Sequence, residues 1–320
     1  MANVPRALNK TGPQTGSEGE PMAQVIAMAA KNAPSANGAR REKTSPAQPS
    51  ASSAAAQASS FASPLDIPAA ERAAEGEPSA FGQPWELPTP VKAESPAINP
   101  MILTCHKPRS QASEQFRQLR TTLIRLANRG PVRCMITSAQ PREGKTILSA
   151  NLAYCFSELA PKRTLLIDGD LRRGRQAELF GVPNETGLGE LLSGKCAPPD
   201  ACRNVCRPSM NIITAGRADL DAIGQLFGSP SAQTAMRELI SQYDYVMLDT
   251  PPVLGLADTG MLGSWVDVAL LVVRIHKTPR NLIDKAAHVL TSAGVNVAGI
   301  VALDEQAHDA KGYYDGYSSY

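Results

Sequence analysis

The sequence predicts an α/β fold, a mostly parallel, doubly wound sheet, on the strength of three observations. Short apolar runs bounded by turn residues alternate with longer stretches carrying apolar residues at helical spacing, the pattern of right-handed strand–helix–strand units. One run, Val132-Arg-Cys-Met-Ile-Thr-Ser138, leads into Ala139-Gln-Pro-Arg-Glu-Gly-Lys-Thr146 and then into a helical stretch from Thr146 to Leu159. Two others end in acids: Thr164-Leu-Leu-Ile167 runs into Asp168 and Asp170, and Tyr245-Val-Met-Leu248 runs into Asp249-Thr-Pro-Pro252. Open parallel sheets bind ligands outside the carboxyl ends of their strands, and all three features fall there.

Strand, loop, helix is the setting of a phosphate-binding loop. Such a loop cradles a triphosphate with consecutive backbone N–H groups at a helix N-terminus, a Lys for the outer phosphates and a Ser or Thr hydroxyl for Mg²⁺. Gly144, Lys145 and Thr146 stand where that chemistry needs them, and Gln140, Pro141, Arg142, Glu143, Gly144, Lys145, Thr146 and Ile147 form the expected nucleotide cradle. The loop departs from the full pattern in opening with Ala139 instead of Gly. Strand-end carboxylates beside such a loop hold Mg²⁺, whereas singly each would serve as well for a helix N-cap. The fold class is therefore that of a P-loop NTPase with a deviant first Walker motif.

The remaining elements follow in order. Ser113-Glu-Gln-Phe-Arg-Gln-Leu-Arg120, continuing through Leu123, Ile124 and Leu126, reads as a helix on which Glu114, Arg117 and Arg120 fall three apart and share one face. That face is either a surface stripe with an i, i+3 ion pair or the match for a stripe on another subunit. Asn211 to Ala215 reads as a strand closed by Gly216, and Ser231 to Gln242 as the helix that precedes the Asp249 strand. Val266 to Arg274 and Val297 to Ala302 read as further buried strands, with a helix from about Pro279 to Ala293 between them, opened by Pro and stopped by Gly294.

Composition sets the domain organisation. Of 26 prolines, 14 fall in the first 100 residues, beside runs such as Ser50-Ala-Ser-Ser-Ala-Ala-Ala-Gln-Ala-Ser-Ser60. Residues 1–95 are expected to be a disordered Pro/Ala/Ser-rich extension, residues 96–308 one folded nucleotide-binding domain, and residues 309–320 a flexible tail. A formal net charge of +2 without a long basic run gives no reason to expect nucleic-acid binding. Apolar runs such as Val268 to Val273 are far short of the roughly 20 residues of a membrane helix. No secretory pattern follows Met1, so the cytoplasm is the expected location. The six cysteines are scattered; Cys134 and Cys155 fall on a predicted strand and helix as small apolar residues, and Cys196, Cys202 and Cys206 lack metal-ligand spacing. The four histidines, at 106, 276, 288 and 308, form no motif.

Four of the seven tyrosines lie in the last eight residues, Tyr313-Tyr-Asp-Gly-Tyr-Ser-Ser-Tyr320, where nothing in folding asks for them. Behind a phosphate loop, a flexible tyrosine cluster offers hydroxyl acceptors for a γ-phosphoryl group. Here the chain resembles the bacterial tyrosine kinase (BY-kinase) family, the P-loop autokinases of capsule and exopolysaccharide synthesis. The resemblance covers roughly residues 100–320. It rests on Ser138 to Thr146, Leu166-Ile-Asp-Gly-Asp-Leu-Arg172, Met247-Leu-Asp-Thr-Pro-Pro252, Glu114-x-x-Arg117-x-x-Arg120, Gly187 to Gly194 and the tyrosine tail, in family order.

The resemblance implies an ATP- and Mg²⁺-dependent tyrosine autokinase. By it, Lys145 holds the β- and γ-phosphates, Thr146 with Asp170 and Asp249 holds Mg²⁺, Asp168 is the base for the tyrosine hydroxyl, and Asp170 is also catalytic. It implies acceptors at Tyr313, Tyr314, Tyr317 and Tyr320, phosphorylated in trans within a ring whose contacts include Glu114, Arg117 and Arg120. It further implies a membrane-bound chain-length regulator of polysaccharide export as activator, recruitment to the inner face of the membrane, and a cognate phosphatase. Arg142 replaces the family's usual Gly and either points outward or adds a cation near the phosphates. Ala302-Leu303 stands where relatives often have an Asn. A weakly active nucleotide-binding scaffold of polysaccharide secretion is the alternative. A partition or septum-placement ATPase is a further one, and Gln140, in place of that class's signature Lys, argues against it.

Overall fold

The computed structural model describes residues 24–29, 98–254 and 258–304. The six strands β2 (Val132–Ser138), β3 (Thr164–Asp168), β5 (Met210–Ile213), β6 (Tyr245–Asp249), β7 (Val268–Arg274) and β8 (Val297–Asp304) form a continuous parallel sheet. Two antiparallel strands close its edges, β1 (Gln24–Ala29) against β8 and β4 (Cys202–Asn204) against β5. The spatial order is β1-β8-β7-β2-β6-β3-β5-β4, which puts β2 between β7 and β6.

Alternation along each strand divides the core into two layers. Cys134 and Ile136 of β2, Leu166 of β3 and Met247 of β6 meet α2 (Gln111–Leu126), α3 (Lys145–Ser157) and α4 (Gln176–Phe180) through Phe116, Leu123, Phe156 and Phe180. Their neighbours Met135, Leu165, Ile167, Val246 and Leu248 face the other way. There they meet α5 (Leu188–Leu192), α7 (Ile223–Gly228), α8 (Pro230–Ser241), α9 (Asp258–Leu262) and α10 (Arg280–Ser292). Short helices α1 (Leu103–His106) and α6 (Pro198–Ala201) complete the connections. Helices thus cover both faces, as a parallel sheet requires.

The expected strands and longer helices are present, with shifted ends. Helix α2 starts at Gln111, where Ser110 Oγ accepts the Ser113 N–H at 3.2 Å as an N-cap. Strand β7 begins at Val268 instead of Val266, and β8 runs past Ala302 to Asp304 because Leu303 still pairs with Arg274. Gln24–Ala29 lies inside the stretch expected to have no fold and is instead a strand. Gln-Val-Ile-Ala-Met-Ala is a run of β-competent residues without Pro, and the β8 edge offers unpaired backbone groups. The rest of residues 1–97, and the tail from 305, fall outside the described residues. Among the described residues no helix is long and apolar enough to cross a membrane. All six cysteines are free, and Cys134 and Cys155 are buried as small core residues.

Candidate functional site

The phosphate loop leaves the end of β2 in the middle of the sheet and enters α3. Gly144 turns the chain in the left-handed region, with φ 92°, so that α3 begins at Lys145. Ala139 is buried and has no left-handed backbone, so the missing first glycine costs nothing here. Arg142, by contrast, sits at φ 63°, the region its glycine-like position demands.

A polar brace holds that conformation. The Glu143 carboxylate is buried inside the loop, where Oε2 accepts the Gln140 N–H at 2.8 Å and Oε1 accepts the Thr278 hydroxyl. Thr278 Oγ1 in turn accepts the Arg274 N–H at 2.9 Å, and Arg274 Nη1 donates to the Arg142 carbonyl at 3.0 Å. The turn after β7 therefore clamps the loop from outside. Leu303 packs on it as well: a Cβ added at Gly144 would stand 2.5 Å from Leu303 Cδ1.

Under the loop lie the acids. Asp168 and Asp249 end adjacent parallel strands in direct register, so their carboxylates are neighbours by construction. Both are buried, Asp168 completely. Asp168 Oδ1 accepts the Asp170 N–H at 3.3 Å and Oδ2 accepts the Gln176 N–H at 2.9 Å. The chain can pass this close only without a side chain, since a Cβ at Gly174 would stand 2.8 Å from Asp168 Oδ2. Asp249 Oδ2 accepts Gln176 Nε2–H at 3.0 Å, while Asp249 Oδ1 has no donor at hydrogen-bond geometry, although the Thr146 hydroxyl stands close enough to draw its carboxyl downward. Burial, and then the charge of Asp249, push the Asp168 carboxyl well above its ordinary value. Burial pushes Asp249 up to about 6 against the pull of the Lys145 ammonium.

A cleft of about 740 Å³ opens above this floor. Pro141, Arg142, Glu143, Gly144, Lys145, Thr146 and Ile147 line it, and so does Asp170. Asp168, Asp249 and Gln140 do not; the first two lie beneath the lining and Gln140 is exposed beside it. Sequence reasoning missed the arginines at the rim, Arg173, Arg175 and Arg274, and the buried Gln176 below it. The run Arg172-Arg-Gly-Arg175, directly after Asp170-Leu171, was a signal for the rim; a Gln in a five-residue helix gave none for the floor.

The residues present fit a divalent cation, since a fully buried carboxylate oxygen without a donor lies beneath Thr146 and Asp170 at the cleft. Among the described residues no three His, Cys, Asp or Glu side chains close on one metal-sized point. A cation here would take phosphate or water oxygens as well, the habit of Mg²⁺.

Glu114, Arg117 and Arg120 stand away from the cleft, on the face of α2 that meets the end of α3. Arg117 forks onto Glu158 with Nε at 3.2 Å and Nη2 at 3.1 Å, and Arg120 Nη1 reaches the same carboxylate at 3.0 Å. Glu114 pairs with Arg117 at 3.5 Å and is 59% exposed, against 24% for Arg117 and 13% for Arg120. The i, i+3 pair is thus present, and both arginines also have a partner within the chain. Tyr313, Tyr314, Tyr317 and Tyr320 fall outside the described residues.

Comparison with known proteins finds the same architecture. A family profile described as an AAA domain matches residues 142–277. The tyrosine-protein kinase YwqD of Bacillus subtilis (strain 168) is 32% identical over 216 residues, which span 67% of this chain and 90% of that protein. The tyrosine-protein kinase etk of Escherichia coli (strain K12) is 33% identical over 205 residues, 62% of this chain and 27% of its own length. The solved kinase domain of the Escherichia coli tyrosine kinase ETK superposes with a TM-score of 0.58 at 32% identity, covering 66% of this chain and 84% of that domain.

Proposed function

Since the chain belongs to the bacterial tyrosine-protein kinase family and is a phosphoryl-transferring enzyme, we propose that it is an ATP- and Mg²⁺-dependent autokinase whose acceptors are its own Tyr313, Tyr314, Tyr317 and Tyr320, modified in trans. The reading rests above all on one observation, a braced phosphate loop set over two buried acids in register, one of which keeps an oxygen without a donor. Phosphoryl transfer asks a protein mainly for positioning and for neutralisation of charge, and this site is built for both.

Lys145 and the loop N–H groups hold the β- and γ-phosphates, with Arg142 at the same wall. Thr146, Asp170 and Asp249 hold the cation, which when bound supplies charge neutralisation on the phosphate oxygens. The acceptor proton goes to a carboxylate of the Asp168–Asp170 turn. Asp170 lines the cleft, and Asp168 lies beneath it with the raised basicity of a buried carboxyl, a proton sink once the turn admits the hydroxyl. Residues 96–308 act as the kinase domain and 309–320 as its acceptor tail, beside an extension over 1–95.

Subunits associate through the Glu114, Arg117 and Arg120 face, so that one tail enters the next cleft. A membrane-bound chain-length regulator recruits and activates the enzyme at the inner face of the membrane. A phosphatase resets it, and the cycle controls exopolysaccharide or capsule synthesis, polymerisation and export. Each phosphate adds about −1.5 to −2 charges to the tail, which loosens the assembly.

Mass spectrometry of the full chain after incubation with ATP and Mg²⁺ tests the core of this reading. Phosphate is expected on residues 313–320 of the wild type and absent from Lys145→Met. Equal phosphotyrosine in the two, or phosphate only elsewhere, would overturn it. Phosphate on a Lys145→Met chain mixed with wild type is the expected sign of transfer in trans.

A further inference from the structure

Gln176 belongs to none of the motifs, yet it ties all of them together. It is fully buried. Its side-chain Nε2 lies 3.0 Å from Asp249 Oδ2, 3.1 Å from the Thr146 carbonyl and 2.8 Å from Ser149 Oγ, and its main-chain N–H serves Asp168. Ser149 gives its own proton to the Thr146 carbonyl at 3.0 Å, so its oxygen is free to accept from Gln176. Two amide hydrogens are shared among three acceptors, which fixes the amide's orientation with Nε2 toward the acids and the loop. One residue thus supplies a donor to each buried carboxylate and anchors the first turn of α3.

The other ends of these groups are left open. Of the buried side-chain oxygens without a donor, two belong to this one hydrogen-bonded pair, Gln176 Oε1 and Asp249 Oδ1. A buried acceptor with no donor is costly, so two of them on one hydrogen-bonded pair point to a ligand that completes both.

We infer that Gln176 is a positioning residue for the divalent cation: its amide pins Asp249 by Oδ2 so that Oδ1 faces the cation, and its Oε1 accepts from a water of the cation's shell. The inference rests on the cation-dependent reading of the site above. It assigns Gln176 to cation binding and not to nucleotide binding, because Gln176 itself stands outside the cleft lining and its contacts run to Asp249 and to the Thr146 carbonyl, an acceptor that has no proton to give a phosphate.

The test measures Mn²⁺ affinity by electron paramagnetic resonance in the presence of ADP, and ADP affinity in chelator without metal, for the full chain and for Gln176→Leu. The wild type should bind Mn²⁺ with ADP. The variant should lose about 10- to 100-fold in Mn²⁺ affinity, the usual effect of removing a residue that orients a metal ligand, with ADP affinity in chelator unchanged within about twofold. In an Asp249→Asn background the same substitution should add almost nothing, since Gln176 acts through Asp249. If Leu proves too broad for the slot and the protein does not fold, Gln176→Met, unbranched and of the same reach, carries the same expectation. Mn²⁺ affinity within twofold of wild type in a folded variant overturns the inference, as does a parallel loss of metal-free ADP binding. A wild type that binds ADP but no cation overturns it together with the cation-dependent reading.

Discussion

The two ends of α3 each meet a cluster of charged side chains, and the clusters are built in opposite ways. At the carboxyl end Glu158 takes three hydrogen bonds from Arg117 and Arg120, and Arg120 also caps the Cys155 carbonyl. Opposite charges outweigh burial there and hold the Glu158 carboxyl below its ordinary value. At the amino end two carboxylates sit side by side with one amide between them, both pushed upward by burial. The first cluster is complete within the chain and holds the fold together. The second is incomplete until a ligand arrives, and a protein keeps such a cluster only where binding repays the instability.

Asp249→Asn should give the largest contrast. Autophosphorylation should fall by about 10²–10³-fold, as when one preorganised charge is removed from a transfer site. Stability of the ligand-free protein should rise by about 1–3 kcal/mol at pH 8, since a carboxyl raised to about 6 is there held charged against its surroundings. Urea unfolding and phosphotyrosine assays read the two effects. A variant both inactive and less stable would erase the distinction between the ends of α3.

Glu158→Gln should behave in the opposite sense. Removing the charge takes from Arg117 and Arg120 the carboxylate they share while leaving their bonds to the Pro108 and Cys155 carbonyls, and with partners only 13–24% exposed the loss should be about 1–2 kcal/mol, below the value for a fully buried pair. ADP affinity should not change, because the cluster lies at the far end of the helix from the cleft. Sedimentation of this variant also shows whether Glu158 competes with a neighbouring subunit for the two arginines.

The pH dependence should separate the clusters by sign. Glu158 has a lowered folded-state pKa, so its stabilisation is present above about 4.5 and is lost as pH falls through the lower value. The gap between wild type and Glu158→Gln should therefore close below that pH. Asp249 has a raised one, so its cost is present above about 6 and is relieved as pH falls toward 3.8. The advantage of Asp249→Asn should shrink over that range. Unfolding curves from about pH 3 to 8 for the three proteins check both, and a wild type that gains on both variants, or loses to both, as pH falls would break the contrast.

How much of this the sequence disclosed differs between the same two ends. The amino end was legible because its parts are local: a loop between a strand and a helix, and acids at strand ends that register then places together. The depth of Asp168 was not, because it depends on Gly174 letting the chain close over the carboxylate. Nor was Gln176, whose partners lie 27, 30 and 73 residues away. At the carboxyl end the Arg117–Arg120 stripe was readable from helical spacing, but Glu158 was not, being 41 and 38 residues distant and marked by no motif. Strand β1 and the three-residue β4 escaped for a different reason, since edge strands this short are defined by the neighbour they pair with.

Arg142 gives the smallest expected effect and the finest test, because the loop shares features of both clusters. Its carbonyl is satisfied by a bond from Arg274, and Glu143 and Thr278 complete the brace. Its backbone is nevertheless held at φ 63°, which costs an arginine about 1 kcal/mol that glycine would not incur. Against that relief stands the larger entropy glycine loses on folding, about 0.5–1 kcal/mol. Arg142→Gly should therefore raise stability by at most about 0.5 kcal/mol in urea unfolding. The guanidinium at the cleft wall should matter more than the strain, so ADP should bind several-fold more weakly, with AMP, which lacks the outer phosphate, little changed. Arg142→Gln keeps the strain and drops the charge. If it binds ADP as the wild type does while Arg142→Gly is more stable, the arginine is a tolerated departure in a satisfied loop; if both bind weakly, the left-handed turn is retained for the cation it presents.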